Sequence, residues 1–252
     1  MLFLLPPSET KRAGGDGHPL DVSQLSFADL AALRTELADR LVALSADESA
    51  AMSALKLGPR LAGEVHHNRA LRTSATMPAL DRFTGVLFDA LDTATLDARA
   101  RSFSADTVVV HSALFGLVGA MDPIPAYRLS HDSRIPGVVL KRFWRDAIAE
   151  RIASHDGLIV DLRSEAYAEL GPAPARDGSV FVRVVAVDDG GRRRALNHFN
   201  KQAKGRFTRR LLETRPQLDS VDDLMTWAGD QGFRLAPGAA KPGAPLEVDL
   251  VA

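Results

Sequence analysis

The stretch Leu158-Ile159-Val160-Asp161-Leu162, followed at once by Arg163-Ser164-Glu165-Ala166-Tyr167, decides how the chain is read. An apolar run without polar alternation fits a strand covered on both faces, the habit of strands in α/β sheets. The change to Ser-Glu then opens a short helix to about Leu170, with Ser164 placed to cap it and Glu165 in its first turn. Working outward, Leu2-Phe3-Leu4-Leu5 is another such strand, stopped by Pro6-Pro7, and Thr107 to His111 with its three valines is a further one. Strands that intermix with helices along the whole chain predict a mixed α/β fold.

Leu30, Leu33, Leu37, Leu41 and Leu44 recur at three- and four-residue spacings and predict an amphipathic helix over about 27–44. Asp47 or Ser45 caps a second helix to about Leu55, a turn falls at Gly58-Pro59, and helix resumes from Arg60 to about Ala70. Helical stretches follow over 79–91, 96–103 and 139–153. Between them, residues 112–136 are broken by three prolines and two glycines and read as a long structured loop of the kind that carries a site. Segments 180–187 and 194–199 flank Asp188-Asp189-Gly190-Gly191, a hairpin turn. A basic helix covers 201–214, Ser220 with Asp223 forms a capping box, and Phe233 to Leu235 makes a last strand. The expected organisation is one domain over 1–252, a mixed sheet surrounded by helices. It includes a helical excursion over about 20–105 and a loose tail, rich in Pro, Gly and Ala, over about 237–252.

With 252 residues, 46% of them hydrophobic and 25% charged, the chain has the composition of an ordinary globular protein. The absence of cysteine excludes disulfides, thiolate-held metals and a cysteine nucleophile. The start, Met1 to Pro7, has too short an apolar stretch for a signal peptide, and no run approaches the roughly 18 residues of a membrane span. A soluble, cytoplasmic protein with no membrane partner, monomeric and without a cofactor, is expected. Net charge is −1. Yet Arg192, Arg193, Arg194, Lys201, Lys204, Arg206, Arg209, Arg210 and Arg215 stand against the single acid Glu213, a basic block that fits either a polyanion or a solvated helix face.

Three constellations are able to carry function. Lys56-Leu57-Gly58-Pro59-Arg60 lies between two helical patterns, as in the helix-hairpin-helix elements of sequence-independent DNA binders. There Gly58 lets the backbone approach, and Lys56 and Arg60 contact phosphates. In Asn197 to Arg210, Lys201, Lys204 and Thr208 share one helical stripe and Arg206, Arg209 and Arg210 an adjoining one; Gly205 inside that helix implies a close approach by a ligand or a neighbouring helix. The Arg163-Ser164-Glu165-Ala166-Tyr167 segment falls at the carboxyl end of a strand, where ligands of α/β sheets sit. Ser164, Glu165 and Tyr167 there are catalytic candidates, or a helix cap and its first turn. No HExxH, EF-hand, P-loop or GxGxxG pattern is present, and the adjacent His66 and His67 diverge on a helix, so no metal site is expected.

In order, Leu4-Leu5-Pro6-Pro7-Ser8-Glu9-Thr10-Lys11, Ser112 to Val118 with Asp122 to Leu129, Phe143-Trp144, Asp161 to Tyr167, and Phe199 to Arg209 resemble the YaaA family, once catalogued only as a domain of unknown function. The resemblance implies a mixed α/β shell with a helix-hairpin-helix element. It also implies a role in peroxide resistance and iron homeostasis, and double-stranded DNA as partner in a basic cleft. By that resemblance Lys56 to Ala62 is the hairpin, and Lys11, Arg128, Lys201, Lys204, Arg206 and Arg209 line the cleft. The chain departs from the family's shorter proline-alanine-lysine start, with Pro7-Ser8-Glu9-Thr10-Lys11 in its place.

Two functions therefore stand at this point. One is a stress protein that binds DNA or another phosphate-bearing ligand. The other is an enzyme on a nucleotide-like or other anionic small molecule, built from Ser8, Lys11, Tyr127, Arg128, Trp144, Ser164, Glu165, Tyr167 and Lys201. Convergence of these groups in one enclosed pocket favours the second; an open basic surface favours the first.

Overall fold

The computed structural model describes residues 1–187, 193–195, 198–239 and 242–251. The chain begins with β1 (Leu2–Leu5) and β2 (Gly17–Pro19), then α1 (Ala31–Ser45), α2 (Glu48–Ala54) and α3 (Glu64–Arg69). Next come β3 (Ala75–Pro78), α4 (Ala79–Arg82), α5 (Val86–Leu91) and α6 (Ala98–Thr107), then β4 (Val108–Ser112), β5 (Gly116–Gly119) and β6 (Pro123–Ile124). The second half holds α7 (Leu140–Ala153), β7 (Ile159–Asp161), α8 (Glu165–Ala168), β8 (Ser179–Val187) and β9 (Arg193–Ala195). It closes with α9 (His198–Thr214), α10 (Val221–Asp230), β10 (Arg234–Pro237) and β11 (Leu246–Val251).

The main sheet runs β10-β11-β8-β7-β1-β4-β5, with β9 paired to β8. Strands β11, β8, β7, β1 and β4 are mutually parallel, and β5 and β10 close the two edges antiparallel. The apolar runs that predicted covered strands form the middle: Phe3, Leu4, Leu5, Val108, Val110, Ile159 and Val160 are all fully buried. Burying each such side chain contributes about 1.5–3 kcal/mol, which is why these segments take the centre and not an edge. In register, Leu4 faces Asp161, Asp161 faces Phe181 and Phe181 faces Glu247, so a row of four side chains crosses one face of the sheet. A small three-stranded sheet, β2-β3-β6, stands apart. No helix among the described residues is long and apolar enough to cross a membrane.

The mixed α/β architecture follows the sequence reading, and the differences have physical causes. The stretch 79–91 is two helices because Gly85 takes φ +90 between them. Residues 112–136 hold β5 and β6 before turning irregular; β5 is only four residues with a glycine at each end, too few to show a period. Residues 237–252, expected to be a loose tail, include β11, paired on both sides. Its acids Glu247 and Asp249 are only 4% and 5% exposed, and Glu247 pairs with Arg183 at 3.4 Å. The hairpin turn at Asp188–Gly191, Arg192, and Asn197 lie outside the described residues.

Two fully buried arginines tie the helical excursion down, one to the main sheet and its flank, the other to the small sheet. Arg34 of α1 donates to the carbonyls of Phe115 (2.9 Å) and Leu117 (2.5 Å). Arg82 of α4 donates to Ile124 (3.1 Å), Gly14 (2.9 Å) and Ala75 (3.0 Å). Each guanidinium satisfies several backbone carbonyls, from short strands and from loops alike, and such buried groups are costly to leave unpaired.

Candidate functional site

The carboxyl ends of β1 and β7 open into a cleft of about 220 Å³, bordered by Pro7, Ser8, His131, Tyr167, Lys201 and Lys204 among others. Pro6-Pro7 stops β1 so that the chain turns away from the sheet at this edge, and β7 ends in the Arg163-Ser164 corner. Helix α9 brings Asn200, Lys201 and Lys204 in from the far side. A second cavity of about 350 Å³ adjoins the first, sharing Ser164, Asn200 and Lys204 and adding Phe181 and Arg183. Segments distant in sequence thus meet at the edge where α/β sheets take their ligands.

Beneath the cleft lies a fully buried polar network. Both carboxylate oxygens of Asp161 accept from Arg163, Oδ1 from Nε at 2.9 Å and Oδ2 from Nη2 at 2.6 Å, and Oδ1 also accepts from the Arg163 backbone N–H at 3.0 Å. Arg163 Nη1 reaches His111 Nδ1 at 2.8 Å and the Gly171 carbonyl at 3.0 Å. A fork of five fixed donors suits this task, where the point charge of a lysine does not. His111 stacks edge-on with Tyr167, centroids 5.6 Å apart, and Tyr167 packs against His131 at 5.2 Å. The network therefore fixes the corner from which Ser164 and Tyr167 project.

Lys204 is the group that the cleft exposes least and constrains most. It is 4% exposed, and its ammonium donates to the Arg163 carbonyl at 3.2 Å. It also lies 5.9 Å from the Phe181 ring centroid. Burial lowers its pKa to about 8, against the pull of Asp161 and Glu165. A buried ammonium has three donors to place, and this one borders both cavities.

On the neighbouring wall, Lys11 donates to the carbonyls of Ser8 (3.0 Å) and Glu9 (3.3 Å) and stands 4.0 Å over the Tyr127 ring. Burial lowers its pKa to about 7, helped by the Arg128 charge and opposed by Glu9. Tyr127 is buried, its hydroxyl 2.7 Å from Ser112 Oγ, and burial raises its pKa. Arg128 pairs with Glu9 at 2.7 Å and is held at its backbone by Asn68. Ser8 Oγ donates to the Thr10 carbonyl at 2.5 Å and accepts from the Thr84 N–H.

The structure gathers Ser8, Ser164, Tyr167, Lys201 and Lys204 on one cleft, with Lys11, Tyr127 and Arg128 beside it. Ser164 accepts from the Tyr167 N–H at 3.4 Å as the cap of α8, and Glu165 is exposed on the rim. Other sequence candidates fall elsewhere. Trp144 is core: fully buried, it donates to the Ala113 carbonyl at 2.9 Å. Lys56, with φ +55, pairs with Asp132 at 2.6 Å. Gly58 has an ordinary φ of −75 and precedes a 3-10 turn at Pro59–Leu61, so α2 and α3 are joined by that turn and not by a tight glycine hairpin; Arg60 there is exposed. On α9, Arg209 donates to the Asp92 carbonyl and Thr95 Oγ1, both at 2.7 Å, and pairs with Glu213. Arg210, though exposed, donates to Gln231 at 2.8 Å; Lys201 and Arg206 are exposed too. Among the described residues no cluster of three or more His, Asp or Glu side chains is arranged to hold a metal ion.

Phe181 and Arg183 were missed by the sequence reading, although the Val180-Phe181-Val182-Arg183 alternation places both on one sheet face. His111 and His131 had no local signal, since their partners are remote in the chain.

The family model described as "Peroxide stress protein YaaA" matches residues 1–239. A UPF0246 protein of Corynebacterium glutamicum (strain R) is 41% identical over 238 residues, covering 92% of this chain and 94% of its own. A UPF0246 protein of Streptomyces coelicolor is 41% identical over 260 residues, covering 100% of this chain and 98% of its own. More distant, one of Francisella philomiragia is 24% identical over 195 residues. With residues 1–239 of its 252 matched, the chain belongs to the YaaA family of peroxide stress proteins.

Proposed function

We propose that this peroxide stress protein binds a small molecule through a phosphate or similarly compact anion in the cleft at the ends of β1 and β7. The observation that carries this is Lys204: a 4%-exposed ammonium bordering two adjoining cavities, its charge depressed by burial. An anion there would meet its remaining donors and relieve the desolvation cost. The opening turn of α9, with Lys201 and Asn200 beside it, adds a favourable dipole.

A second reading, duplex DNA, has the exposed Lys201, Arg206 and Arg60 in its favour. It is weaker because a duplex cannot enter cavities of about 220 and 350 Å³ to reach Lys204. Arg209, Arg210, Arg128 and Lys56 are spent on ion pairs within the fold.

Calorimetric titration with pyrophosphate, beside anisotropy titration with a short duplex, separates the two. The cleft reading expects saturable pyrophosphate binding that Lys204→Met abolishes and salt weakens little. Duplex binding that falls steeply with salt, is lost in Lys201→Glu/Arg206→Glu and is untouched by Lys204→Met would replace it with the DNA reading.

A further inference from the structure

Phe181 stands between two cavities. It lines the one of about 350 Å³ that holds Lys204 and, on its other side, one of about 470 Å³. Glu165 borders both as well. The further cavity has apolar walls from Ala168, Pro172, Ala173 and Pro245, with the carboxylates of Glu165 and Glu247 at its polar side. The strand register explains why. Phe181 is the middle of the row Asp161–Phe181–Glu247, so the ring is flanked by an acid on each neighbouring strand. Glu165 is exposed on its rim, and the nearest cation to it among the described residues, Arg183, is 3.8 Å away, too long for a hydrogen bond.

Resting on the phosphate reading of Lys204, we propose that the ligand is a nucleoside phosphate whose base lies on Phe181 and presents an amino group to Glu165. Each part of the ligand answers a part of the wall. The buried ammonium takes the phosphate, the aromatic ring takes a flat heterocycle, and base–aromatic stacking of this kind is sequence-tolerant on its own. Selection then comes from the carboxylate, which accepts hydrogen bonds and donates none. Adenine, cytosine and guanine carry an exocyclic amino group that can donate; uracil carries a carbonyl oxygen in the matching place and would set two acceptors against each other. Glu165 is thus the specificity-determining residue and Phe181 the stacking platform, and Arg183, lining the same cavity as Lys204, is a second cation for the phosphate.

The test is isothermal titration of the full-length protein with AMP, CMP, GMP, UMP and ribose 5-phosphate. At least one amino-bearing nucleotide should bind about tenfold or more tighter than ribose 5-phosphate and UMP, the order expected of one base–aromatic stack plus a hydrogen bond. Phe181→Leu should bring that nucleotide to the level of ribose 5-phosphate while leaving ribose 5-phosphate unchanged. Glu165→Gln, an exposed substitution, should narrow the gap to UMP. If ribose 5-phosphate binds as tightly as all four nucleotides, the base contact is overturned while the phosphate cleft stands. Equal affinity for UMP and AMP overturns the amino-group selection. Binding of none of the five by cooperatively folded protein overturns both readings together.

Discussion

His111 Nδ1 lies 2.8 Å from Arg163 Nη1, and both side chains are fully buried. An arginine only donates, so the imidazole accepts at Nδ1 and carries its proton on Nε2, which has no hydrogen-bond partner among the described residues. A second proton on this ring would place two cations in contact inside the core. Burial first, and the Arg163 charge second, hold the His111 pKa well below 6.5.

Stability should therefore fall on mild acidification. The unfolded chain binds a proton at His111 near pH 6.5 and the folded chain does not, so stability is fully present above that value and declines below it. The slope reaches about 1.4 kcal/mol per pH unit for one histidine. His155, its pKa also lowered by burial, adds to it. Melting temperatures between pH 7.5 and 5 should drop in the wild type and drop less in His111→Gln, whose amide oxygen still accepts from Arg163. Equal slopes would show that His111 is not the proton acceptor.

The Asp161–Arg163 pair should be far more sensitive to losing one partner than surface pairs such as Lys141–Glu169. Asp161→Ala leaves a buried guanidinium with its strongest acceptors gone, at a cost of about 3–5 kcal/mol. Lys141→Ala should cost less than about 1 kcal/mol. Urea midpoints of the two variants check the contrast. Because Lys204 is held by the Arg163 carbonyl, Asp161→Ala should also weaken anion binding beyond its effect on stability.

What the sequence disclosed and what it hid divide along physical lines. Covered strands such as Leu2–Leu5 announce themselves because burial on both faces leaves no room for polar residues. The capping box of Ser220 and Asp223 was legible because it is completed within three residues. Arg34 and Arg82 were not, because the carbonyls they satisfy lie up to 83 residues away. Strand β11 interleaves the acids Glu247 and Asp249 with apolar residues, and both acids are buried only because remote strands cover them, Glu247 with Arg183 as its partner. On α9, helical period correctly aligned Lys201, Lys204 and Thr208. It could not say which way the stripe turns: Lys204 and Thr208 face inward, and only Lys201 meets solvent.

Gly205 is required by packing. A Cβ there would stand 2.2 Å from the Leu87 carbonyl oxygen and 2.8 Å from Ala90 Cβ, where α9 presses on α5. Alanine gains about 1 kcal/mol of helix propensity, but backbone cannot yield as a flexible side chain would, and overpacking costs about 1–3 kcal/mol. Gly205→Ala should be destabilising on balance. Gly229→Ala in α10, with nothing within 4 Å, should be neutral or slightly stabilising. Thermal melts in which both raise stability would mean that α5 and α9 separate easily.

Lys204 gives the cleft a pH signature of its own. With its pKa lowered to about 8, the side chain is mostly an ammonium at pH 7 and mostly neutral by pH 9. Only the ammonium attracts an anion, so affinity should be level below pH 7.5 and weaken through pH 8, approaching tenfold per pH unit above it. Sulfate is the probe of choice because its own charge does not change in this range. Lys11, with its pKa lowered to about 7 on the adjoining wall, would instead set the midpoint one unit lower. Lys204→Arg keeps a cation that does not titrate below pH 12, so its sulfate affinity should stay flat to pH 9. A profile that still breaks near pH 7 in that variant would transfer the role to Lys11, and one that still breaks near pH 8 would remove Lys204 from the anion site.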